Sequence, residues 1–471
     1  MLRRAGLALL LVTIAGLASF VPASADEKTP QVALVPQVAL IAKVGYGGAP
    51  IGFARSANGT LHVVYETDIS WGDSANGVGT ITIGRSGAVG HPVQALNWKD
   101  TGGSPSGIPG LAILPSGALE ATFGGSPTVN DGPWGISSSD GGSTWSAPVD
   151  ISSGSMFAGD SAVRVEESNG TPVLLAGCCG NIVIQQGFGP GSKTYTLTNG
   201  TDGAAGNTDS AVDAATGAVI AGWDSNDGSG GLWFQQVAPT KGAARKVPVP
   251  SQFGTGEPLI VAGRDKGPGV FAAYPATYGA TTPIRLLRYG GGPASVGSVK
   301  GLHATVWGVA TGPDGRIWVF WSGEINGEGV TAITRSNKAV TRFEPIQTFD
   351  FNWSYLFSLS GDGRLGPLDL LISGIPSVKN AVSGIYYHRA LPMLSAGATV
   401  KQLASGTFEL TVHVTDAGDA LAGAHAAAKG KSGVTNSSGI ANLTVSGRSG
   451  QHLTMTVTAP GYRLSTIRVT L

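Results

Sequence analysis

Two short stretches of this chain echo one another, Gly159-Asp160-Ser161-Ala162-Val163 and Thr208-Asp209-Ser210-Ala211-Val212. An aspartate opening two consecutive apolar strands can form a carboxylate pair that binds a cation or divides acid and base work. It can equally accept amide hydrogen bonds inside its own turn. Other carboxylates cluster near the ends of apolar segments, with rings interleaved: Glu66, Asp68, Trp71 and Asp73; Asp224; Tyr274 and Tyr278; Glu324; and Trp353. Carboxylates beside aromatic faces suit the hydroxyls and C–H faces of sugars. The catalytic candidates are therefore Asp160, Asp209, Glu66, Asp68 and Glu324. Trp71, Asp73, Asp224, Tyr274, Tyr278 and Trp353 are the candidates for holding a glycan.

Other chemistries find less support. The two cysteines are adjacent, Cys178-Cys179, which leaves a strained vicinal disulfide or two buried thiols. The seven histidines are scattered without the spacing of metal ligands, so no metal site is expected. No cofactor is expected either, although calcium at the Asp160/Asp209 pair stays open. Lys and Arg total 30 against 30 Asp and Glu, with no basic stripe to neutralise phosphates, so nucleic acid is not an expected partner.

These residues must be positioned by short strands. A polar-Gly turn recurs at Asn58-Gly59, Ser116-Gly117, Asn169-Gly170, Thr216-Gly217, Lys266-Gly267, Asp314-Gly315 and Asp362-Gly363. The turn glycines are spaced by 58, 53, 47, 50, 48 and 48 residues. Glycine fits there because hairpin turns need positive φ. An aromatic residue follows the turn glycine by six positions at Tyr65, Phe123, Trp223 and Trp321, and by seven at Tyr274. The sixth position holds Ala176 in module three and Asp369 in module seven. Four strands per repeat of this length is the pattern of a propeller blade. Seven blades over about residues 38–392 are expected, with six as the alternative.

Composition agrees with a turn-rich, all-β chain: 73 Gly and 27 Pro in 471 residues, with only 13% charged. Long helices and coiled coils need charge that is not available, and disorder needs lower hydrophobicity than 42%. At the N-terminus, Arg3-Arg4, an apolar run from Ala5 to Phe20 and then Ala23-Ser24-Ala25 predict a secretory signal peptide over 1–25. A linker over 26–37 follows, and the mature chain is expected to be secreted, extracellular or surface-associated, monomeric and without a membrane span.

Module two contains Ser138-Ser139-Asp140-Gly141-Gly142-Ser143-Thr144-Trp145. It resembles the Asp box, also called the BNR motif, of sialidase-like propellers, with Ser138, Asp140, Gly142, Thr144 and Trp145 in the motif positions. The resemblance implies a structural role for Asp140, between a third strand ending near Ser138 and a fourth beginning at Thr144. The stretch Trp353-Ser354-Tyr355-Leu356 followed by Gly363-Arg364-Leu365-Gly366 resembles the sialidase segment whose tyrosine is the nucleophile. Trp353 stands in that tyrosine's place. The arginine of the sialidase Arg-Ile-Pro motif is also missing, since the matching stretch reads Gly48-Ala49-Pro50-Ile51. True sialidase turnover, which needs both groups, is not expected.

After Pro392 the pattern changes to alternating strands without the propeller period. Val414-Thr415-Asp416-Ala417-Gly418, Thr435-Asn436-Ser437-Ser438-Gly439 and Ala459-Pro460-Gly461-Tyr462-Arg463 are spaced along it. The region 396–471 resembles a carboxypeptidase-regulatory-like, or prealbumin-like, β-sandwich, which implies a spacer or docking piece. The expected partner of the whole is an extracellular glycan or cell-envelope polysaccharide bound without turnover. The alternatives are a glycoside hydrolase of sialidase-like fold working through a carboxylate pair, and an extracellular protein-binding scaffold.

Overall fold

The computed structural model describes residues 38–44, 51–67, 77–97, 104–105, 109–126, 133–152, 162–178, 181–197, 204–225, 231–247, 260–277, 279–377 and 382–471. The expected signal peptide and linker lie outside the described residues. What is described is all-β, strands joined by turns with no α-helix. No described helix is long and apolar enough to cross a membrane.

Among the described residues between Ala39 and Ala390 there are seven antiparallel sheets of four strands. Their first strands are Ile51–Arg55, Gly110–Ile113, Ala162–Ser168, Ala204–Asp213, Val261–Gly263, His303–Thr311 and Trp353–Asp362. Each first strand touches the next, and the last returns to touch the first. The seventh sheet takes its fourth strand from the other end of the chain: Ala39–Lys43 pairs antiparallel with Gly384–Ala390.

Hydrophobic burial follows the same order. Val64, Val78 and Leu96 of the first sheet pack on Leu111, Phe123 and Ile136 of the second. Separate clusters join the second sheet to the third, and the third to the fourth. Another spans the fourth to the sixth, and a further one joins the sixth to the seventh. Ile41, Leu371 and Ile385 of the seventh sheet then meet Leu61 and Ile81 of the first. Second strands are covered on both faces, so Leu61 to Tyr65 and Ile317 to Gly323 are buried without a break. Full burial of one such Val, Leu or Phe side chain contributes about 1.5–3 kcal/mol. The aromatic positions after the turns, Tyr65, Phe123, Trp223, Tyr274 and Trp321, are all core residues.

The hairpin turns are stitched from sheet to sheet. Ser168 Oγ donates to Gly217 O at 2.7 Å, and Asp213 Oδ2 accepts from Gly269 N at 2.8 Å. Asp265 accepts from the amides of Asp314 and Gly315, and Thr311 O accepts from Gly363 N at 2.8 Å. Gly59, Gly117, Gly170, Gly217, Gly267 and Gly315 have the positive φ expected of them. Gly363 is not among the positive-φ glycines; in the seventh hairpin that role falls to Gly366, with φ 107°. The expected register of that module shifts accordingly. The sixth residue after Gly366 is buried Ile372, and Asp369 belongs to an ion cluster described below.

Beyond Ala390, the strands Ser395–Ala404, Thr407–Asp416, Asp419–Ala420 and Ile440–Ser446 form one sheet. His425–Ala428, Lys431–Val434, His452–Thr458 and Ser465–Thr470 form another. Phe408, Leu410, Val412 and Val414 alternate inward along Thr407–Asp416. They share a core with Ala426, Met455 and Val457 of the second sheet.

Candidate functional site

The seven first strands enclose a cavity of about 610 Å³ to which each of them contributes lining residues. Arg55 and Asp362 line it at the hairpin-turn end of their strands, Ser360 two residues farther from the turn, and Ser358 and Asp209 four residues from it. The opposite end of these strands is where the sheets connect to one another.

Asp209 does not open its strand. The strand begins at Ala204, and Asp209 lies within it opposite Gly222. Its Oδ2 accepts from Val261 N at 2.9 Å, so the carboxylate ties the fourth first strand to the fifth. This is the amide-accepting role. Asp160, the other half of the expected pair, lies outside the described residues, as do Asp68, Trp71, Asp73, Tyr278 and Cys179. For Asp224 and Cys178 the described part is the backbone: Asp224 pairs with Leu232, and Cys178 pairs with Asn181 at the end of its strand. Among the described residues, no group of three His, Cys, Asp or Glu side chains is placed to hold a metal ion.

Glu66 and Glu324 sit on second strands, one strand removed from the cavity wall, and neither lines it. Glu66 is half-buried opposite Val78; Glu324 is exposed, opposite His303 and Gly329. Tyr274 is only 3% exposed and packed in the core, so its ring is not available to a ligand. The expectation for Tyr274 fails because a second strand is covered by neighbours on both sides.

Trp353 is also committed. Its ring lies 4.2 Å from that of Phe351 and edge-on to Tyr386 at 5.4 Å, against the core between the sixth and seventh sheets. The free aromatic surface on this strand is elsewhere. Tyr355 is 57% exposed, and its ring is parallel to that of Phe357, with an interplanar angle of 9° and centroids 6.4 Å apart. The next residues along the strand, Ser358 and Ser360, line the cavity. Neither Tyr355 nor Phe357 is among the glycan-binding candidates expected from the sequence. Their spacing of two, the period of a strand, was the signal that could have singled them out.

At the turn end the charges are buried and paired. Arg55 donates through Nε to Asp362 Oδ1 at 2.5 Å, through Nη2 to Asp369 Oδ2 at 2.6 Å and through Nη1 to Gly59 O at 2.8 Å. Tyr387 Oη and Arg389 Nη1 donate to Asp369 Oδ1 at 2.6 and 3.1 Å. Burial works against the Arg55 charge, but Asp362 and Asp369 outweigh it and hold its pKa above the ordinary value. Each of these charged groups is met by an oppositely charged protein partner, so the turn end carries a buried ion cluster.

In the loop Ser138–Trp145 the hydrogen bonds of the aspartate are all local. Asp140 Oδ1 accepts from Ser138 Oγ and from the amides of Ser143 and Thr144 at 2.8, 3.0 and 2.9 Å. Its Oδ2 accepts from Thr144 Oγ1 at 2.7 Å. Ser138 Oγ accepts from Gly142 N at 2.9 Å, and Trp145 Nε1 donates to Gly142 O at 3.2 Å. The bonds from Thr144 and Ser138 bring the exposed Asp140 carboxyl down to about 2. The fourth strand starts at Val149, not at Thr144, because Thr144 is spent on Asp140 and cannot enter the ladder.

No family model and no curated protein matches the chain. Similar solved structures include a polysaccharide lyase of family PL25, an ulvan lyase bound to -[GlcA(1-4)Rha3S]-, at 14% identity and TM-score 0.46, covering 75% of this chain and 96% of that one. The NanB sialidase of Streptococcus pneumoniae is similar at 8% identity and TM-score 0.42, covering 74% and 69%. The α-L-arabinanase of Penicillium chrysogenum is similar at 12% identity and TM-score 0.39, covering 75% and 97%.

Proposed function

We propose that this chain is a secreted glycan-binding protein without sialidase turnover, in which the seven four-stranded sheets are the blades of one propeller and residues 396–471 form a separate β-sandwich. The order of sheet contacts and the shared cavity support the propeller reading. The observation that carries the functional reading is the parallel pair Tyr355 and Phe357, with Tyr355 open to solvent, on the strand that continues into the cavity wall through Ser358 and Ser360. Parallel rings offer flat apolar faces to sugar C–H groups, and nearby hydroxyls take the sugar's own hydrogen bonds. Trp353 occupies the place of the sialidase nucleophile with a ring that has no oxygen and is already packed.

The test is binding of the intact chain to an array of extracellular polysaccharide fragments, alongside hydrolysis and β-elimination assays on the same fragments. Replacing both rings, Tyr355→Ala with Phe357→Ala, should weaken retention roughly tenfold, the equivalent of about 1.4 kcal/mol for lost ring contacts. Tyr355→Ala alone, at a largely exposed position, should leave thermal stability little changed and serves as the folding control. Retention unaffected by the double replacement would remove the proposed site. Product release by the wild-type chain would overturn the reading of binding without turnover.

A further inference from the structure

Charge on the outer strands of the fourth and fifth sheets is one-sided. Residues 231–297 carry seven Lys and Arg against two Asp and Glu, in a chain whose totals are equal. Lys241 precedes the fourth strand of the fourth sheet, Arg245–Val247, which Arg245 opens. Arg285 and Arg288 belong to the third strand of the fifth sheet, Ile284–Arg288. All four residues are exposed. On the adjoining turn face, Asp213, Asp265 and Asp314 are matched by Arg264, Lys266 and Lys338. Lys266 and Lys338 reach Asp314 at 3.0 and 3.7 Å, and the charges of Asp265 and Asp213 act on Arg264. Among the described residues, none of Lys241, Arg245, Arg285 and Arg288 forms an ion pair with a carboxylate.

Two of the four meet at one turn. Arg245 crosses from the fourth sheet to the fifth, its guanidinium 5.8 Å from the ring centre of Tyr289, which packs on Phe234. The ring holds the cation in place without cancelling its charge. Tyr289 follows Arg288 and leads into bare backbone, Gly290-Gly291-Gly292, where Gly291 N donates to Arg288 O at 2.9 Å. A Cβ on Gly290 would stand 3.8 Å from Arg245 Nη1, and one on Gly291 would stand 3.3 Å from Arg288 Cβ. Arg245 therefore lies against one glycine and Arg288 against the next. Gly290 is left-handed, with φ 72°. Gly292 is not among the positive-φ glycines, and nothing lies within 4 Å of where its Cβ would stand. Neither conformation nor crowding requires glycine at 292, and its effect is an open approach to the two guanidinia. We propose that Arg245 and Arg288, at the turn Tyr289-Gly290-Gly291-Gly292, form a contact site for the sulfate or carboxylate groups of an anionic polysaccharide.

A guanidinium presents paired N–H donors that match a carboxylate or the oxygens of a sulfate. Nucleic acid fits less well, because single-stranded bases bind by stacking on open aromatic faces. Tyr289 carries Arg245 on its ring and is tilted against Phe234. An anionic membrane fits less well too, since none of the exposed large hydrophobic residues described lies between 231 and 297 to insert beside the cations. The choice of a sugar polymer rests on the glycan-binding reading given above; the preference for an anion does not. The two contacts also belong to different sheets, Tyr355 and Phe357 to the seventh and the arginines to the fourth and fifth, so each can be removed without the other.

The test is binding of the full chain to dextran sulfate, carboxymethyl dextran and neutral dextran of equal length, from about 50 to about 200 mM salt. The sulfate and carboxylate arms tell which group the site takes. Arg245→Gln with Arg288→Gln should weaken binding to that polymer about tenfold at the low-salt end. The slope of log affinity against log salt should fall by about 2, one for each cation removed. Lys401→Gln with Arg468→Gln removes the same charge from exposed positions in the C-terminal sheets and should change affinity less than about twofold. Gly292→Leu keeps every charge but covers the turn, and should weaken binding several-fold; it carries the test if the arginine pair fails to fold. The chain with Tyr355→Ala and Phe357→Ala should keep its salt-dependent binding, so failure of the ring site and failure of this one are read apart. Equal losses from the two charge-removing pairs would overturn the proposal. So would full binding by the arginine pair or by Gly292→Leu, or tighter binding of single-stranded DNA through the same residues.

Discussion

Glu120 shows how one residue's surroundings set its chemistry. It lies in the second strand Leu119–Phe123, whose alternate residues Leu119, Ala121 and Phe123 face the first sheet. Glu120 is turned the other way and is 8% exposed, opposite Ala112 and Ser137. Gly135 leaves room for it, since a Cβ there would come within 2.6 Å of Glu120 Oε1. Burial raises the Glu120 carboxyl to about 7 from an ordinary 4.5. The folded form therefore prefers the neutral acid, and its stability declines as pH rises from 4.5 through about 7. Glu120→Gln, which cannot ionise, should flatten that decline and gain about 1–3 kcal/mol over the parent chain above neutrality. Urea denaturation of both chains across this range checks it; parallel stability curves would contradict it. Asp140 is the opposite case, a carboxylate whose bonds are all local. Its role was legible because the residues that bond to it are within four positions in the sequence. Glu120 was not singled out, because its burial comes from neighbouring strands that a short motif does not contain.

At the scale of the hairpin, two glycines that look alike in sequence are retained for different reasons. Gly117 has φ 83° and nothing within 4 Å of where a Cβ would stand. Gly363 is not left-handed, but a Cβ on it would lie 2.2 Å from Cδ1 of the fully buried Trp318. Its amide is fixed to Thr311 O at 2.8 Å, so the backbone cannot easily retreat. Gly117→Ala should cost about 1 kcal/mol of backbone strain, and Gly117→Asn should recover most of it, because asparagine tolerates positive φ. Gly363→Ala should cost about 1–3 kcal/mol, and Gly363→Asn should be worse, because the fault is crowding. Thermal unfolding of the four variants separates the two causes; recovery at position 363 with asparagine would show that conformation, not space, decides there. Regular spacing made six of the turns readable. It misplaced the seventh because the neighbour that demands Gly363 belongs to a different sheet. The rings at Tyr274 and Trp353 were misassigned for the same reason: residue type announces an aromatic surface, but only packing decides whether that surface is free.

The whole molecule depends on how its two ends meet. The first and seventh sheets are joined by the apolar cluster around Ile41, Ile81 and Ile385, by the strand Ala39–Lys43, and by Arg55. Arg55 reaches residues 307 and 314 positions away, Asp362 and Asp369, with side chains only 2% and 0% exposed. No local pattern in the sequence could have revealed a contact of that separation. Arg55→Met keeps the apolar stem and removes the charge, leaving Arg389 and Tyr387 on Asp369 and the more distant Arg364 on Asp362. A buried ion pair stripped of one partner typically costs about 3–5 kcal/mol, since the remaining carboxylate is desolvated without compensation. The loss should fall toward the lower figure because those three neighbours stay. It should also be regional: hydrogen exchange in Ile51–Arg55, Leu61–Glu66 and Leu368–Pro376 should accelerate before that in Val270–Pro275 of the fifth sheet, which does not touch the junction. Adding Asp362→Asn to Arg55→Met should return part of the stability by removing one unpaired charge. If the single variant loses less than about 1 kcal/mol, or exchange rises uniformly, closure rests on the apolar cluster and the Ala39–Lys43 strand, and the guanidinium is incidental to it.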